Sequence, residues 1–184
     1  MLRLIAGKYR GRKLAVPEGL GVRPTTDRMR ERIFSMLNHP RYPDLLDARV
    51  ADFFAGTGAL GLEALSRGAG HVTFIELNAQ HVKQLESNIK TLKAADDVTV
   101  LRMNATHVAA AQQAYDFIFM DPPYHKGLLP QALNSALEYG WVKDNTTIIA
   151  ECGSDEIPDL PTPLQIVDER VQGKQKILFI QKSD

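Results

Sequence analysis

The sequence predicts an α/β protein whose mostly parallel sheet of seven strands is covered by helices on both faces. Two observations carry this prediction. From about residue 48, short apolar runs alternate with amphipathic helical segments, which is typical of a parallel sheet buried between helices. The chain has 184 residues, of which 44% are apolar, and this is enough for one domain with a sizeable core.

The first 40 residues predict a basic β-hairpin and helix extension that precedes the sheet. Residues 2–5 and 12–16 predict two paired strands, joined by a turn-like segment at residues 7–11. Residues 23–27 supply helix-capping side chains ahead of an apolar stripe at helical spacing. The stripe is formed by Met29, Ile33 and Leu37, whereas Arg28, Arg30 and Arg32 lie mostly off it, free to meet phosphate or water.

The rest of the chain supplies the sheet and its helices. The predicted strands are residues 50–54, 72–76, 98–101, 117–120, 147–150, 165–171 and 177–181, of which the last two form a closing hairpin. Helices are predicted at residues 60–67 and 78–93, and we place the apolar face of the second in the core. We therefore expect a single domain over residues 1–184, with the extension at 1–40 and the core at 48–184.

The net charge of zero conceals a division along the chain. Residues 1–32 contain nine Lys and Arg against three acids, a balance of +6, so the remaining residues sum to −6. A basic arm on an acidic body favours a phosphate backbone as the partner, and a solubilising surface is the alternative. The candidate nucleic-acid-binding residues are Lys8, Tyr9, Arg10, Arg12, Lys13, Arg23 and Arg28. The ring of Tyr9 can stack on a base.

Several classes of protein are disfavoured by the composition. No apolar run approaches the roughly 18 residues of a membrane span. The first apolar stretch is too short for a signal peptide, and charged residues interrupt it too early. We therefore expect a cytoplasmic protein, and we expect it to be a monomer. Cys152 is the only cysteine and follows an apolar strand, which favours a buried thiol over a nucleophile. The five histidines show no ligand spacing, so we expect no metal.

The loop after the first core strand matches the pattern G-x-G-x-x-G over residues 56–61. Glycines at a helix N-terminus let the backbone approach a ligand closely, as dinucleotide sites require. Glu76 ends the second core strand, where an acid accepts hydrogen bonds from two ribose hydroxyls. The pattern predicts a nucleoside-bearing cofactor, and NAD and S-adenosylmethionine (SAM) both fit it. The candidate cofactor-binding residues of this part are Ala55, Gly56, Thr57, Gly58, Glu76 and Leu77.

Three independent features favour SAM over NAD. Asp52 stands four residues before Gly56, where its carboxylate suits a cationic amino-acid group and repels a pyrophosphate. Asn104, just past the third core strand, can accept from an adenine amino group and donate to a ring nitrogen, and Ala105 leaves room for the ring. The third feature is a tetrapeptide that ends the fourth core strand, beside the crevice where ligands bind in such sheets.

That tetrapeptide is Asp121-Pro122-Pro123-Tyr124, and we call it the clamp. Its prolines cannot donate to the sheet and fix φ near about −65°, so the strand stops and its last carbonyls turn away. A carboxylate, a freed carbonyl and an aromatic ring suit a flat group that carries an NH2, because they offer two acceptors and a stacking face. The alternative is a plain strand-ending turn, which Asp-Pro often makes.

The motifs at residues 23–28, 52–68 and 121–124 occur together with residues 4–7 and 10–14. In this combination the chain resembles, over nearly its whole length, the RsmD family of bacterial 16S ribosomal RNA guanine-N2 methyltransferases. The resemblance implies a class I SAM-dependent methyltransferase (Rossmann-like) fold of seven strands. It also implies methylation of guanine 966 in 16S ribosomal RNA, either as naked RNA or in the assembling small ribosomal subunit.

The resemblance further implies roles for individual residues. It assigns Gly56, Gly58, Thr25 and Thr26 to the methionine end of SAM, Glu76 to the ribose, Asn104 to the adenine, and Asp121, Pro122, Pro123 and Tyr124 to the target amine. Two positions depart from the family pattern. Asn104 replaces an aspartate that is common in the wider superfamily but keeps an acceptor, and Tyr124 stands where some relatives carry phenylalanine.

Four other classes of protein share part of this pattern. A DNA amino-methyltransferase has the clamp but ordinarily needs a target-recognition region, for which 184 residues leave little room. A protein-glutamine methyltransferase usually has asparagine in place of Asp121 and no obvious need for the basic arm. A non-catalytic RNA-binding module does not need both the clamp and Glu76. An NAD dehydrogenase has no evident use for the clamp.

Overall fold

A computed structural model describes residues 2–16 and 27–183 of the chain. The strands in this part are β1 (Leu2–Arg3), β2 (Lys13–Leu14), β3 (Arg49–Phe53), β4 (His71–Ile75), β5 (Val98–Leu101), β6 (Tyr115–Met120), β7 (Val142–Gly153), β8 (Leu164–Gln172) and β9 (Gln175–Lys182). The α-helices in this part are α1 (Asp27–Leu37), α2 (Ala59–Ser66), α3 (Ala79–Leu92) and α4 (Leu128–Glu138).

The main sheet has seven strands in the order β5-β4-β3-β6-β7-β9-β8. The first five are parallel to their neighbours, whereas β9 is antiparallel to both β7 and β8. Phe53 pairs with Ile75 on one side and with Met120 on the other, so β3, β4 and β6 end at the same level. The order reverses between β3 and β6, which opens a crevice at the carboxyl ends of these strands. The predicted α/β fold of seven strands is confirmed.

Helices cover both faces of this sheet. On one face, α1, α2 and α3 contribute apolar side chains such as Phe34, Leu62 and Leu85 to a core cluster that includes Phe119 of β6. The rings of Phe34 and Phe119 lie 5.6 Å apart between their centres. On the other face, α4 packs against β6 and β7 together with Trp141. Burial on both faces explains why the core strands are apolar almost throughout.

Helix α4 was not among the predicted elements. It begins after Gly127, and Pro130 lies in its first turn. A proline is tolerated there because the first N–H groups of a helix have no partner inside the helix. The same proline, together with the prolines of the clamp just upstream, gives this segment the composition of a loop. Its apolar residues Leu129, Leu133 and Ala136 are buried against the sheet.

The N-terminal extension is tied to α2 by a buried acid. β1 and β2 pair in antiparallel fashion, as predicted, and the chain between them passes along α2. Glu63 of α2 has no exposed surface, and its carboxylate accepts the N–H groups of Ile5 (2.8 Å) and Ala6 (3.1 Å). The same carboxylate pairs with Arg67 Nε at 2.7 Å. An acid in an otherwise apolar helix therefore fixes the position of the extension.

Arg30 corrects one expectation about the arginines of α1. Its side chain is fully buried, and Nη2 donates to the Arg3 carbonyl (2.7 Å) and to Asp27 (2.8 Å). It follows Met29 directly and borders the apolar stripe, so the helix turns it inward rather than toward solvent. The expectation that it meets phosphate or water is wrong. Arg28 and Arg32 are exposed, as expected.

Candidate active site

Four candidate site segments meet at the carboxyl edge of the sheet. The glycine loop follows β3, Glu76 follows β4, Asn104 lies beyond β5, and the clamp follows β6. Because β3 and β6 are neighbours on either side of the point where the strand order reverses, the glycine loop and the clamp border the same crevice. The structure therefore brings together residues that are up to 68 positions apart in sequence, from Gly56 to Tyr124.

The glycine loop is shaped by left-handed backbone conformations. Gly56 has a φ of +55° and Gly58, which begins α2, has a φ of +86°. A Cβ added to Gly56 would meet no protein atom within 4 Å, so its α-carbon faces open space. The last glycine of the pattern, Gly61, serves packing instead, because a Cβ there would lie 2.3 Å from the Phe74 ring. The loop can thus approach a ligand at Gly56 while α2 packs closely on β4.

Glu76 joins the glycine loop to the loop after β4. One carboxylate oxygen accepts the Gly56 N–H at 2.8 Å, and the other accepts the Asn78 N–H at 2.7 Å. His81 Nδ1 lies 3.6 Å from the second oxygen. The residue is only 9% exposed. The carboxylate therefore sits rigidly at the edge of the crevice, where its remaining lone pairs can face ribose hydroxyls.

Asp52 lies in β3, and its carboxylate faces the first turn of α2. It is 2% exposed, and one of its oxygens accepts the Gly61 N–H in the first turn of the helix at 2.8 Å. Burial, and to a smaller extent the nearby charge of Glu76, raises the pKa of Asp52 to about 7. Its contact in the structure is thus with the helix, and its predicted contact with the amino group of SAM stays a prediction.

The predicted adenine side combines exposed apolar and amide groups. Leu77 is 59% exposed and leaves an apolar face next to Glu76. Asn104 is exposed, and its side-chain oxygen accepts the N–H and the hydroxyl of Thr106, both at 3.0 Å. Ala105 is buried beside it. An apolar face and an amide are the groups that a nucleobase requires, so these residues fit the predicted cofactor.

The clamp is held by two residues that the sequence did not reveal. The hydroxyl of Tyr124 donates to Glu151 of β7, and Gln175 of β9 donates to the same carboxylate oxygen at 2.6 Å. Burial and the neighbouring Glu151 raise the pKa of Tyr124, so the phenol stays protonated. Asp121 and Tyr124 are half-buried and Pro123 is exposed, so the clamp is open to the crevice. An acid within the apolar run of β7 is the sequence signal that could have revealed Glu151.

A further residue outside the predictions, Asn88 of α3, connects the extension to the glycine loop. It is 2% exposed. Its oxygen accepts the Ala15 N–H at 2.9 Å, and its amide donates to the carbonyls of Ala15 and Thr57, both at 3.1 Å. Ala15 and Val16 are the last described residues before Asp27. The predicted site residues Arg23, Thr25 and Thr26 lie outside the described residues.

The candidate nucleic-acid-binding residues of the extension differ in their surroundings. Lys8 pairs with Asp97, directly before β5, at 3.1 Å, and the Tyr9 N–H donates to Ser66, the last residue of α2, at 3.0 Å. Both residues therefore lie toward the edge of the sheet where the parallel strands begin, opposite the clamp. Tyr9 is half-buried against the core. The exposed candidates among the described residues are Lys8, Arg10, Arg12, Lys13 and Arg28.

Cys152 lies in β7, directly after Glu151, which accepts the hydrogen bond from the Tyr124 hydroxyl. It is 3% exposed in β7, and burial raises the pKa of its thiol to about 11. It is a neutral buried thiol, as expected. Among residues 2–16 and 27–183, no three His, Cys, Asp or Glu side chains form a group that could hold a metal. No helix in the described part of the chain has the length and apolarity to span a membrane.

Comparison with known proteins places this arrangement in a family. The family model described as conserved hypothetical protein 95 matches residues 2–181. Ribosomal RNA small subunit methyltransferase D of Escherichia coli K12 is 40% identical over 174 residues, which cover 94% of this chain and 86% of the relative. The chain belongs to this family. The resemblance to RsmD that the motifs indicated is confirmed.

Solved structures give the same result for the fold. A methyltransferase from Escherichia coli superposes with a TM-score of 0.85 and 38% identity, covering 98% of this chain and 97% of that chain. A methylase from Haemophilus influenzae superposes with a TM-score of 0.82 and 33% identity, covering 100% and 99% of the two chains. The fold is therefore the class I methyltransferase fold of this RsmD family, as predicted.

Proposed function

We propose that this RsmD-family protein transfers a methyl group from SAM to the exocyclic N2 amine of a guanine in 16S ribosomal RNA. The observation that carries the proposal is the placement of the clamp beside the glycine loop, across the point where the strand order reverses. The name of the Escherichia coli relative supports ribosomal RNA of the small subunit as the substrate. Guanine 966 as the nucleotide rests on the resemblance to the family.

The residues around the glycine loop fit SAM. Gly56 offers close approach to the backbone, Glu76 two carboxylate oxygens for the ribose, and Leu77 with Asn104 a face and an amide for the adenine. When bound, SAM supplies an electrophilic methyl group. The proposed SAM-binding residues are Asp52, Ala55, Gly56, Thr57, Gly58, Glu76, Leu77, Asn104 and Ala105, with Thr25 and Thr26.

The clamp has the groups that a poor nitrogen nucleophile needs. The lone pair of guanine N2 is delocalised into the ring, so the amine must be held with its lone pair turned out of the base plane. The Asp121 carboxylate and the Pro122 carbonyl each accept one N–H of the amine and impose this geometry, and such positioning supplies much of the rate. Asp121 also stabilises the positive charge that develops on nitrogen, and it can take the proton afterwards.

Tyr124 gives the target base a surface to stack on. A base inside an RNA helix cannot reach the crevice, so it must leave its stack, at a cost of a few kcal/mol. Stacking on an aromatic ring returns about 1–3 kcal/mol. Pro123, exposed beside Tyr124, lines the entrance to this surface.

The extension is proposed to face the RNA. We infer that residues 1–40 form an RNA-binding extension of a single domain whose catalytic core spans residues 48–184, and that the enzyme acts as a monomer. Arg10, Arg12, Lys13 and Arg28 are exposed and available for phosphates. Lys8, Tyr9 and Arg23 belong to the same proposed surface, in which Lys8 and Tyr9 contact RNA away from the crevice, toward the edge of the sheet opposite the clamp. A substrate that is part of the ribosome supports a cytoplasmic location.

The proposal is tested by following the methyl group. Purified protein is incubated with SAM carrying a labelled methyl group and with unmodified 16S ribosomal RNA or small subunits, and the labelled nucleotide is mapped by mass spectrometry. We expect label on the N2 amine of one guanine. Label on a ring nitrogen, on a base other than guanine, or only on protein would contradict the proposal. The choice between RNA and subunit as substrate follows from which one is labelled faster.

The Asp121→Asn variant tests the clamp directly. We expect methyl transfer to fall by about 100-fold or more, because the developing positive charge loses its partner, while SAM binding is kept. Asp144→Asn is the matched control, since Asp144 lies near the start of β7, away from the clamp, with its side chain 99% exposed. This control should retain wild-type activity. Turnover near wild type in the Asp121→Asn variant would remove Asp121 from the mechanism.

A further inference from the structure

The hydroxyl of Tyr124 points into the protein rather than toward the crevice. It donates to a carboxylate oxygen of Glu151, and the amide of Gln175 lies 3.4 Å from the hydroxyl oxygen. The same amide donates to that carboxylate oxygen at 2.6 Å. Glu151 is 4% exposed and Gln175 is 7% exposed. The three side chains contact one another behind the ring.

Both partners of the hydroxyl belong to a well-supported part of the sheet. Glu151 lies in β7 opposite Ile177, and Gln175 begins β9 opposite Gly153 of β7. β9 is hydrogen-bonded to a strand on each side. The backbone on which the two side chains stand is therefore fixed by ladder hydrogen bonds, whereas Tyr124 stands in the loop after β6.

A tyrosine ring rotates about two side-chain torsions, and the second of these is only broadly restricted. The hydroxyl oxygen lies on the axis of the second torsion, so a hydrogen bond to it fixes the first torsion. Because a phenol O–H lies in the plane of its ring, an acceptor in a fixed direction also favours one orientation of the ring plane. We propose that Glu151 and Gln175 are positioning residues, which set the plane of the Tyr124 ring, and thereby the plane of the stacked base, through the Tyr124 hydroxyl. The inference rests on the proposed function, in which Tyr124 stacks on the target base.

This role gives the hydroxyl of Tyr124 a purpose that phenylalanine lacks. The Tyr124→Phe variant keeps the ring but loses the bond to Glu151, and it leaves a buried carboxylate with one donor fewer. Gln175→Met keeps the length of the side chain and removes its donor. Glu151 is tested through the hydroxyl itself, because removing a buried carboxylate would disturb the sheet around it.

The experiment compares single-turnover methyl transfer, at saturating SAM and RNA, in Tyr124→Phe, Gln175→Met and the double variant. We expect each single variant to be about 5–10-fold slower, as for the loss of one positioning hydrogen bond. The SAM dissociation constant should not change. If Gln175 acts through the hydroxyl, the double variant should be no slower than Tyr124→Phe alone.

Tyr115→Phe is the matched control. Tyr115 is 5% exposed in β6, the strand that leads into the clamp, and its hydroxyl donates to Thr73 at 2.9 Å. Its loss removes one buried tyrosine hydrogen bond from the same sheet, away from the crevice. This variant should lower the melting temperature but leave the rate unchanged, which separates positioning from general stability.

Tyr124→Ala separates the two proposals. If it abolishes transfer while Tyr124→Phe and Gln175→Met keep the wild-type rate, positioning is overturned and stacking stands. If it also keeps the wild-type rate, stacking on Tyr124 is wrong, and positioning is wrong with it. Additive losses in the double variant would show that Gln175 does not act through the hydroxyl and would overturn its role.

Discussion

Asp52 is a carboxyl group that the fold withdraws from water at the N-terminus of α2. Burial raises its pKa from the ordinary 3.8 to about 7, so between these values the folded protein holds a proton that the unfolded chain has released. The stability contributed by this protonation is present at low pH and is lost as the pH rises through that window. At neutral pH the residue therefore costs stability, which is acceptable where function needs a charge.

We expect Asp52→Asn, which keeps an acceptor for the Gly61 N–H, to flatten the decline of stability between pH 4 and pH 7. Each pKa unit corresponds to about 1.4 kcal/mol, so the melting temperature at pH 8 should rise measurably. SAM binding should weaken if Asp52 also faces the amino group. The measurement is thermal unfolding across this pH range, with Asp144→Asn, whose side chain is 99% exposed, as the control. If thermal stability falls equally with pH in the wild type and in Asp52→Asn, the raised pKa of Asp52 is contradicted.

Each carboxylate oxygen of Glu76 accepts a backbone N–H group, from Gly56 or from Asn78. A glutamine here would place its NH2 group against one of these N–H donors and lose that hydrogen bond. We expect Glu76→Gln to weaken SAM binding by about 10-fold or more, because the glycine loop loses its tether and the ribose an acceptor. Calorimetric titration with SAM measures this. The control is Glu86→Gln. Glu86 is an exposed acid on α3, the helix that follows Glu76, and this variant should bind SAM as the wild type does. An unchanged dissociation constant in Glu76→Gln would exclude the ribose assignment.

Residues that act near their own strand could be predicted from the sequence, and residues that act across the sheet could not. Glu76 and the glycines lie in one strand–helix–strand unit, β3-α2-β4, where spacing determines geometry. Glu151 and Gln175 meet Tyr124 only because β9 returns antiparallel beside β7, and no local pattern states that register. Asn88 contacts the glycine loop at Thr57 through the packing of α3, and these two residues are 31 positions apart in sequence.

Among the elements, the extension depends on close contact with the end of α2. Gly7 has a φ of +78°, and a Cβ there would lie 1.6 Å from the Ser66 carbonyl oxygen. Gly11 has a nearly identical φ of +79° but no atom within 4 Å of such a Cβ. Comparing substitutions at the two glycines therefore separates the cost of a left-handed backbone from the cost of a steric clash with Ser66.

We expect Gly11→Ala to destabilise the fold by about 1–2 kcal/mol, the cost of a left-handed residue with a side chain. Gly7→Ala should lose clearly more, because the extension must also move away from α2. Denaturant unfolding of both variants measures the difference. Equal losses would mean that the extension is not held against Ser66 in solution.

Elements with a regular apolar pattern were predicted closely. The helix predicted at residues 60–67 is Ala59–Ser66, and the strand predicted at 98–101 is Val98–Leu101. β7 is longer than the predicted 147–150, because Lys143, Asp144 and Asn145 stand on an open stretch where polar side chains face solvent. Its exposed start has the composition of a loop, which is why hydrophobicity alone placed the strand too late.

For the whole molecule, the division of charge predicts how binding responds to salt. Each phosphate contact contributes about 0.7–0.9 to the slope of log binding constant against log salt concentration. We expect Arg10→Gln with Arg12→Gln to weaken RNA binding and to reduce this slope by about 1.5. The slope is measured by titrating 16S ribosomal RNA at several salt concentrations.

The charge-matched control removes Lys143 and Lys182, which pair with Asp116 and Asp144 on another part of the surface. This pair of substitutions should leave the slope unchanged. The same slope in both double variants would mean that the extension is a solubilising surface, and that the RNA is held elsewhere.

The position of β8 at the outer margin of the sheet has a consequence for association between molecules. A strand at an edge offers unpaired backbone groups to which a second chain can add. Here the register is interrupted by a bulge between Ile166 and Asp168, and the charged residues Asp168, Glu169 and Arg170 follow at once. The other edge, β5, is only four residues long. Neither margin invites strand addition, so the protein can keep a wide sheet without aggregating along it.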